Sequence, residues 1–140
     1  MKVGDIIIAR MRRALRMCTE TVYHLVENIS NTGIVVETLP INERSKLLYI
    51  DAEDRHKYRK VKIAHLVVSK DVYNRILHGD MDQVRHDISP KWMKAYTERS
   101  EVIHFYTMYG DHVYCVAEDW RAGINSGKQY IRVVLGKILI

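Results

Sequence analysis

The sequence is poor in the residues that most often announce a function. Its 140 residues hold two cysteines, Cys18 and Cys115. Two cysteines make neither a disulfide framework nor a paired zinc motif, and both stand among apolar neighbours, where buried free thiols are expected. Proline is as scarce, with only Pro40 and Pro90. No stretch is rich in Pro, Gly or Ser, and no repeat or low-complexity tract is present, so no linker is expected. No apolar run approaches the roughly 20 residues that a membrane-crossing helix needs. The longest near the start, Ile6-Ile7-Ile8-Ala9, follows Asp5 and is too short for the core of a signal peptide. The expectation is a cytoplasmic protein with no membrane partner. Phenylalanine occurs once against nine tyrosines, a choice that suits half-wet positions at a binding surface.

What the chain does have is basic charge. Apolar residues at 47% and charged residues at 28% describe a folded globular protein, with a net charge of +5. Residues 1–70 carry 13 Lys/Arg against 8 Asp/Glu, whereas residues 71–140 carry 9 of each. The excess lies in two clusters. The first is ARMRRALRMC at residues 9–18, with Arg10, Arg12, Arg13 and Arg16; the second is RHKYRKVK at residues 55–62, with Lys57, Tyr58, Arg59, Lys60 and Lys62. Such asymmetry points to a polyanionic partner. The first cluster fits two periods. As a helix it lines up Met11, Ala14, Leu15 and Cys18; as an extended arm it puts Arg10 and Arg12 on one face. It lacks the long aromatic-bearing stripe of a membrane anchor.

Strand signals dominate both ends of the chain. Gly4-Asp5 precedes an aliphatic strand, and Val22–Ile29 and Ile34–Leu39 read as a hairpin about the turn Ser30-Asn31-Thr32-Gly33. Further strands fit Lys46–Ile50 and Val61–Ser69. The period then lengthens. Ser69 is placed to cap a helix bearing Val72, Ile76 and Leu77, ending near Gly79, and Ser89-Pro90 opens a second with Trp92, Met93 and Tyr96 facing inward. Residues 80–88 fit helix or loop. EVIHFYTMYGDHVYCVAEDW reads as a hairpin turning at Gly110-Asp111, and Tyr130–Ile140 is a strand too apolar to be exposed. It can pair within the chain or with a second copy, so a homo-oligomer is possible.

The stretch Lys2–Ser69 (Gly-Asp before an aliphatic strand, a long basic loop, a hairpin with a Gly turn, two more strands) resembles SH3-like small barrels, the group that includes KOW and Tudor modules. Of the glycines that mark a KOW element only Gly33 is present. The resemblance covers about half the chain and implies a small antiparallel SH3-like/KOW-like β-barrel over 1–69. With the one or two helices and C-terminal antiparallel β unit read from periodicity over 70–140, the expected class is α+β. The two parts can share one core.

Within such a barrel both basic clusters would occupy loops or one strand edge. Arginines fork onto phosphates, and Tyr58 can stack on a base. The expected function is therefore a nucleic-acid-binding accessory protein, for DNA or RNA, with little sequence preference and strong salt dependence. It would suit transcription, replication or nucleoid organisation in a bacterium or phage. The alternative is a protein–protein module, an inhibitor or adaptor, presenting Tyr106, Tyr109, Tyr114 and Trp120, with the basic clusters meeting an acidic protein surface. A third reading is a small hydrolase or nuclease, but a binding protein is favoured over an enzyme. Gly123–Gln129 falls one residue short of a phosphate loop and has Gln129 where Ser or Thr belongs, so it reads as a hairpin connection. No histidine pair has zinc-motif spacing, so neither cofactor nor metal is expected. With a two-residue turn at Gly110-Asp111, His104 and His112 fall on opposite faces of the sheet, and a working histidine pair would need a different turn.

Overall fold

The structure, a computed structural model, describes residues 1–10, 21–42 and 44–140. It is α+β and mostly strand, and it divides into two units, Met1–Val61 and Lys62–Ile140. Lys62 and Lys70 therefore fall in the second unit. Counted on this boundary, the first unit carries 11 Lys/Arg against 8 Asp/Glu and the second 11 against 9. The charge asymmetry between halves largely vanishes.

The first unit is a five-stranded antiparallel sheet of β1 (Ile6–Ala9), β2 (His24–Ile29), β3 (Gly33–Thr38), β4 (Leu47–Asp51) and β5 (Tyr58–Lys60), ordered β4-β3-β2-β1-β5. The β2–β3 hairpin closes as its turn residues require. The Ser30 amide donates to the Gly33 carbonyl at 2.9 Å, and the Ser30 hydroxyl donates to the same oxygen at 3.2 Å. Gly33 is needed for closeness, because a Cβ there would run into the Ile50 carbonyl of β4. Ile7, Val26, Ile34, Val36 and Ile50 form the core of this sheet. A 3-10 turn, Ala52–Lys57, joins β4 to β5. Among the described residues the sheet is not closed into a barrel: β5 has only three residues, and its ladder is spent on β1.

The second unit is built on β6 (Ile63–Val67), α1 (Lys70–Leu77), β7 (Gln83–Asp87), α2 (Pro90–Thr97), β8 (Val102–Tyr106), β9 (His112–Asn125) and β10 (Lys128–Ile138). Its sheet runs β6-β8-β9-β10-β7. Both helices start where their caps stand: Ser69 Oγ accepts from the Val72 amide at 3.2 Å, and Ser89 Oγ from the Trp92 amide at 3.4 Å. Their inner residues, Tyr73 and Ile76 of α1 and Trp92 and Ala95 of α2, join Leu66, Phe105 and Ile131 in one core.

Several expectations are corrected here. The strand at 61–69 belongs to this second sheet. It pairs with β8 in parallel, so the C-terminal β unit is mixed and not purely antiparallel. The long path through two helices and β7 allows it, since a parallel neighbour requires an extended crossover. Residues 83–87 are a strand, with Val84 the only buried side chain of the five. Leu77 and Met93 lie exposed, because the buried stripes centre on Tyr73/Ile76 and Trp92/Ala95. Gly123–Gln129 is a hairpin connection as expected. Ser126 and Gly127 both have positive φ, 51° and 78°, between Asn125 and Lys128, the pattern of a type I′ turn. The apolar strand at the end of the chain lies between β9 and β7, paired on both sides within its own sheet.

Candidate functional site

Each unit gathers one group of chemically capable side chains. In the first unit the β1–β5 ladder aligns Ile7 with Lys60, Ile8 with Arg59 and Ala9 with Tyr58. Just beyond it, the Arg10 amide donates to the Lys57 carbonyl at 2.7 Å. Arg10, remote in sequence from the second basic cluster, thus stands beside it at one end of a sheet edge. Arg10, Lys57 and Lys60 are exposed and Arg59 is half-buried. The edge also carries its own counter-charges, with Lys57 Nζ 2.9 Å from Asp54 and Lys60 Nζ 3.4 Å from the buried Asp5. Tyr58 packs on the Ile7 core and meets His24 edge-on at 6.1 Å, so its ring is largely occupied inside the unit. Lys62 belongs to the second unit, where its amide donates to Glu101 Oε1 at 3.3 Å. Arg12, Arg13 and Arg16 lie outside the described residues, as does Cys18.

In the second unit the decisive feature is the length of one loop. The β8–β9 connection is not a two-residue turn but Thr107–Asp111. It is closed by the Thr107 amide donating to the Asp111 carbonyl at 3.1 Å and the Gly110 amide to the Thr107 carbonyl at 3.2 Å. Gly110 supplies the positive φ of 89°. Thr107 Oγ1 donates to Asp111 Oδ2 at 2.7 Å, and Lys70 Nζ reaches the same oxygen at 2.8 Å. The Lys70 ammonium first, then the Thr107 hydroxyl, hold the Asp111 carboxyl below the usual carboxylate range. Five loop residues change the parity of the register to Tyr106 opposite His112 and His104 opposite Tyr114. All four side chains then share one face, and the parallel β6 ladder places His65 directly beside His104 on that face.

The result is a chain of three imidazoles. His65 Nδ1 lies 2.8 Å from His104 Nδ1, and His104 Nε2 lies 2.6 Å from His112 Nδ1. A neutral imidazole has one N–H and one lone pair, so neutral His104 donates to one neighbour and accepts from the other. The ring of Tyr114 stacks on His104 at 4.5 Å and 8°. Burial first, then the neighbouring imidazoles, bring His104 from its ordinary value down to about 4. Sequence reasoning missed this group because it set His104 and His112 on opposite faces. The only available signal was that a five-residue loop, bracketed by Thr107 and Asp111, would reverse that parity.

The aromatic residues read as a partner surface do not form one patch. Tyr109 stands at the loop tip, 82% exposed, and Tyr106 and Tyr114 flank the histidines. Trp120 is in the core, 6% exposed, donating from Nε1 to the Ser100 carbonyl at 2.8 Å and meeting Trp92 edge-on. Cys115 lies in the core too, its thiol pushed up to about 12 by burial, which rules out a thiolate there at neutral pH. Among the described residues no helix is long and apolar enough to cross a membrane. No protein-family model, no curated protein and no solved structure matches the chain.

Proposed function

We propose that this protein is a nucleic-acid-binding accessory protein whose first unit, an SH3-like β meander, holds the phosphate backbone along its β1–β5 edge. The observation that carries this reading is the backbone hydrogen bond from Arg10 to Lys57, which sets the first arginine of one basic cluster beside the other cluster. Exposed ion pairs such as Lys57–Asp54 contribute only about 0–1 kcal/mol, so a polyanion can displace Asp54 at small cost. Recognition is then of charge and not of bases, which agrees with a Tyr58 ring packed inward. The partner is DNA or RNA, and the setting is transcription, replication or nucleoid organisation in a cytoplasm.

Fluorescence anisotropy of labelled duplex DNA, single-stranded DNA and RNA across a salt series tests it. Log K should fall linearly with log salt, and the slope should shrink by about 0.9 for each duplex phosphate that a variant no longer neutralises. Arg10→Ala with Lys57→Ala should leave up to two phosphates without their cation. Absence of binding near 50 mM salt, where phosphate binding is strong, would overturn the proposal.

A protein-partner module remains the second reading, favoured by the exposed tip Met108-Tyr109. Under it, Tyr109→Ala abolishes capture of an acidic partner while nucleic acids never bind. A hydrolase is supported less. No serine, threonine or cysteine among the described residues is hydrogen-bonded to the three imidazoles.

A further inference from the structure

We propose that His65 and His104 form a two-imidazole site for a divalent transition-metal ion, with His112 as the outer partner that orients it. The argument is geometric and independent of the nucleic-acid reading. His65 and His104 are aligned partners on the neighbouring strands β6 and β8, and their Nδ1 atoms face each other at 2.8 Å with the rings at 87°. At that distance one N–H bridges the two nitrogens in the metal-free protein, one carrying the proton and the other the lone pair. A metal ion can take the place of that proton. With metal–nitrogen distances of about 2.0–2.1 Å in a tetrahedral arrangement, the two nitrogens must stand about 3.3 Å apart. That requires the nitrogens to separate by about 0.5 Å and the rings to turn so that both lone pairs converge on the ion.

The remaining parts fit the same role. A ligating imidazole normally donates its other ring N–H to an outer acceptor that fixes tautomer and orientation. His104 coordinating through Nδ1 would carry its proton on Nε2, and His112 Nδ1 stands 2.6 Å away to accept it. Stacking of Tyr114 on His104 restrains that ring further. His65 is exposed, so water can complete the coordination shell. Among the described residues no three protein ligands converge on one point. The site is therefore a half-open pair, selecting imidazole-loving ions by the order Cu²⁺ above Zn²⁺ and Ni²⁺, and it has positions free for an exogenous ligand.

Isothermal titration of untagged protein with Zn²⁺, and separately with Cu²⁺, tests the proposal. Binding should be one ion per chain, tighter for copper, and unchanged by His78→Asn with His86→Asn. His65→Ala or His104→Ala should abolish it, and His112→Gln should weaken it about 10- to 100-fold. If His104→Ala fails to fold by circular dichroism, His65→Gln on the exposed strand face gives the same reading. Electron paramagnetic resonance of the copper form should show two imidazole nitrogens in the native chain, and that signal should be lost in the His65 variant. Equal affinity in the native chain and a folded variant lacking both His65 and His104 would overturn the proposal. The three imidazoles would then be a hydrogen-bonded packing device.

Discussion

A histidine held neutral is a statement about stability as well as chemistry. Burial lowers both His24 and His104, the latter to about 4, while in the unfolded chain each titrates near an ordinary value of about 6.5. Below that value the unfolded chain takes up protons that the folded chain refuses. The stabilisation is therefore complete above about pH 6.5 and is lost as pH falls toward the folded values. In metal-free buffer the urea midpoint should fall between pH 7 and pH 5, and His104→Gln should flatten the decline. An unchanged midpoint would mean these rings are more solvated than their surroundings imply. Trp120 offers a second test at this scale. Trp120→Phe keeps most of the packed surface but leaves the buried Ser100 carbonyl without its donor. A loss of about 1–3 kcal/mol is expected in chemical denaturation. Lys60→Ala strips the ion pair from the buried Asp5. It should destabilise the first unit by about 1 kcal/mol even without nucleic acid, which marks Lys60 as partly structural.

Helix starts and hairpin turns were the most legible elements, because their signals are local. Ser69, Ser89-Pro90 and Ser30–Gly33 each act through hydrogen bonds within three residues. Ser89→Ala should cost about 1 kcal/mol by thermal unfolding, as the removal of an N-cap oxygen does. At Ser126, which adopts φ 51° beside Gly127, asparagine suits the type I′ turn better. Ser126→Asn should raise the melting temperature slightly, and a drop would contradict the turn assignment. β7 was illegible for the opposite reason. Gln83-Val84-Arg85-His86-Asp87 has weak strand propensity, and it is a strand because β10 offers it a ladder. Helix faces were half legible: the caps set where α1 and α2 begin, but only packing decided that Tyr73 turns inward while Leu77 and Met93 do not.

At the scale of the molecule, the chain comprises two units, each with its own five-stranded sheet and a cluster of buried side chains on it. The second is the larger, and its central strands are paired on both sides. A fragment of residues 62–140 should keep its strand signature and melt cooperatively in circular dichroism. The first unit, Met1–Val61, is near the size where a single core is marginal and should be the less stable alone. The boundary also alters the charge argument. Much of the contrast between halves came from where the chain was divided, so the nucleic-acid proposal stands on the juxtaposition of Arg10 and Lys57 and not on net charge.

The sequence by itself determined the class of the fold, the two capped helices, most of the strands and the free, buried state of Cys115. Each of these follows from short-range periodicity, turn chemistry or composition, which act within a few residues. Tertiary structure alone decided the parallel neighbour of β8, the strand at 83–87, the burial of Trp120 and the alignment of His65, His104 and His112. Those depend on register, where one residue more or less in a loop moves every following side chain to the other face of the sheet.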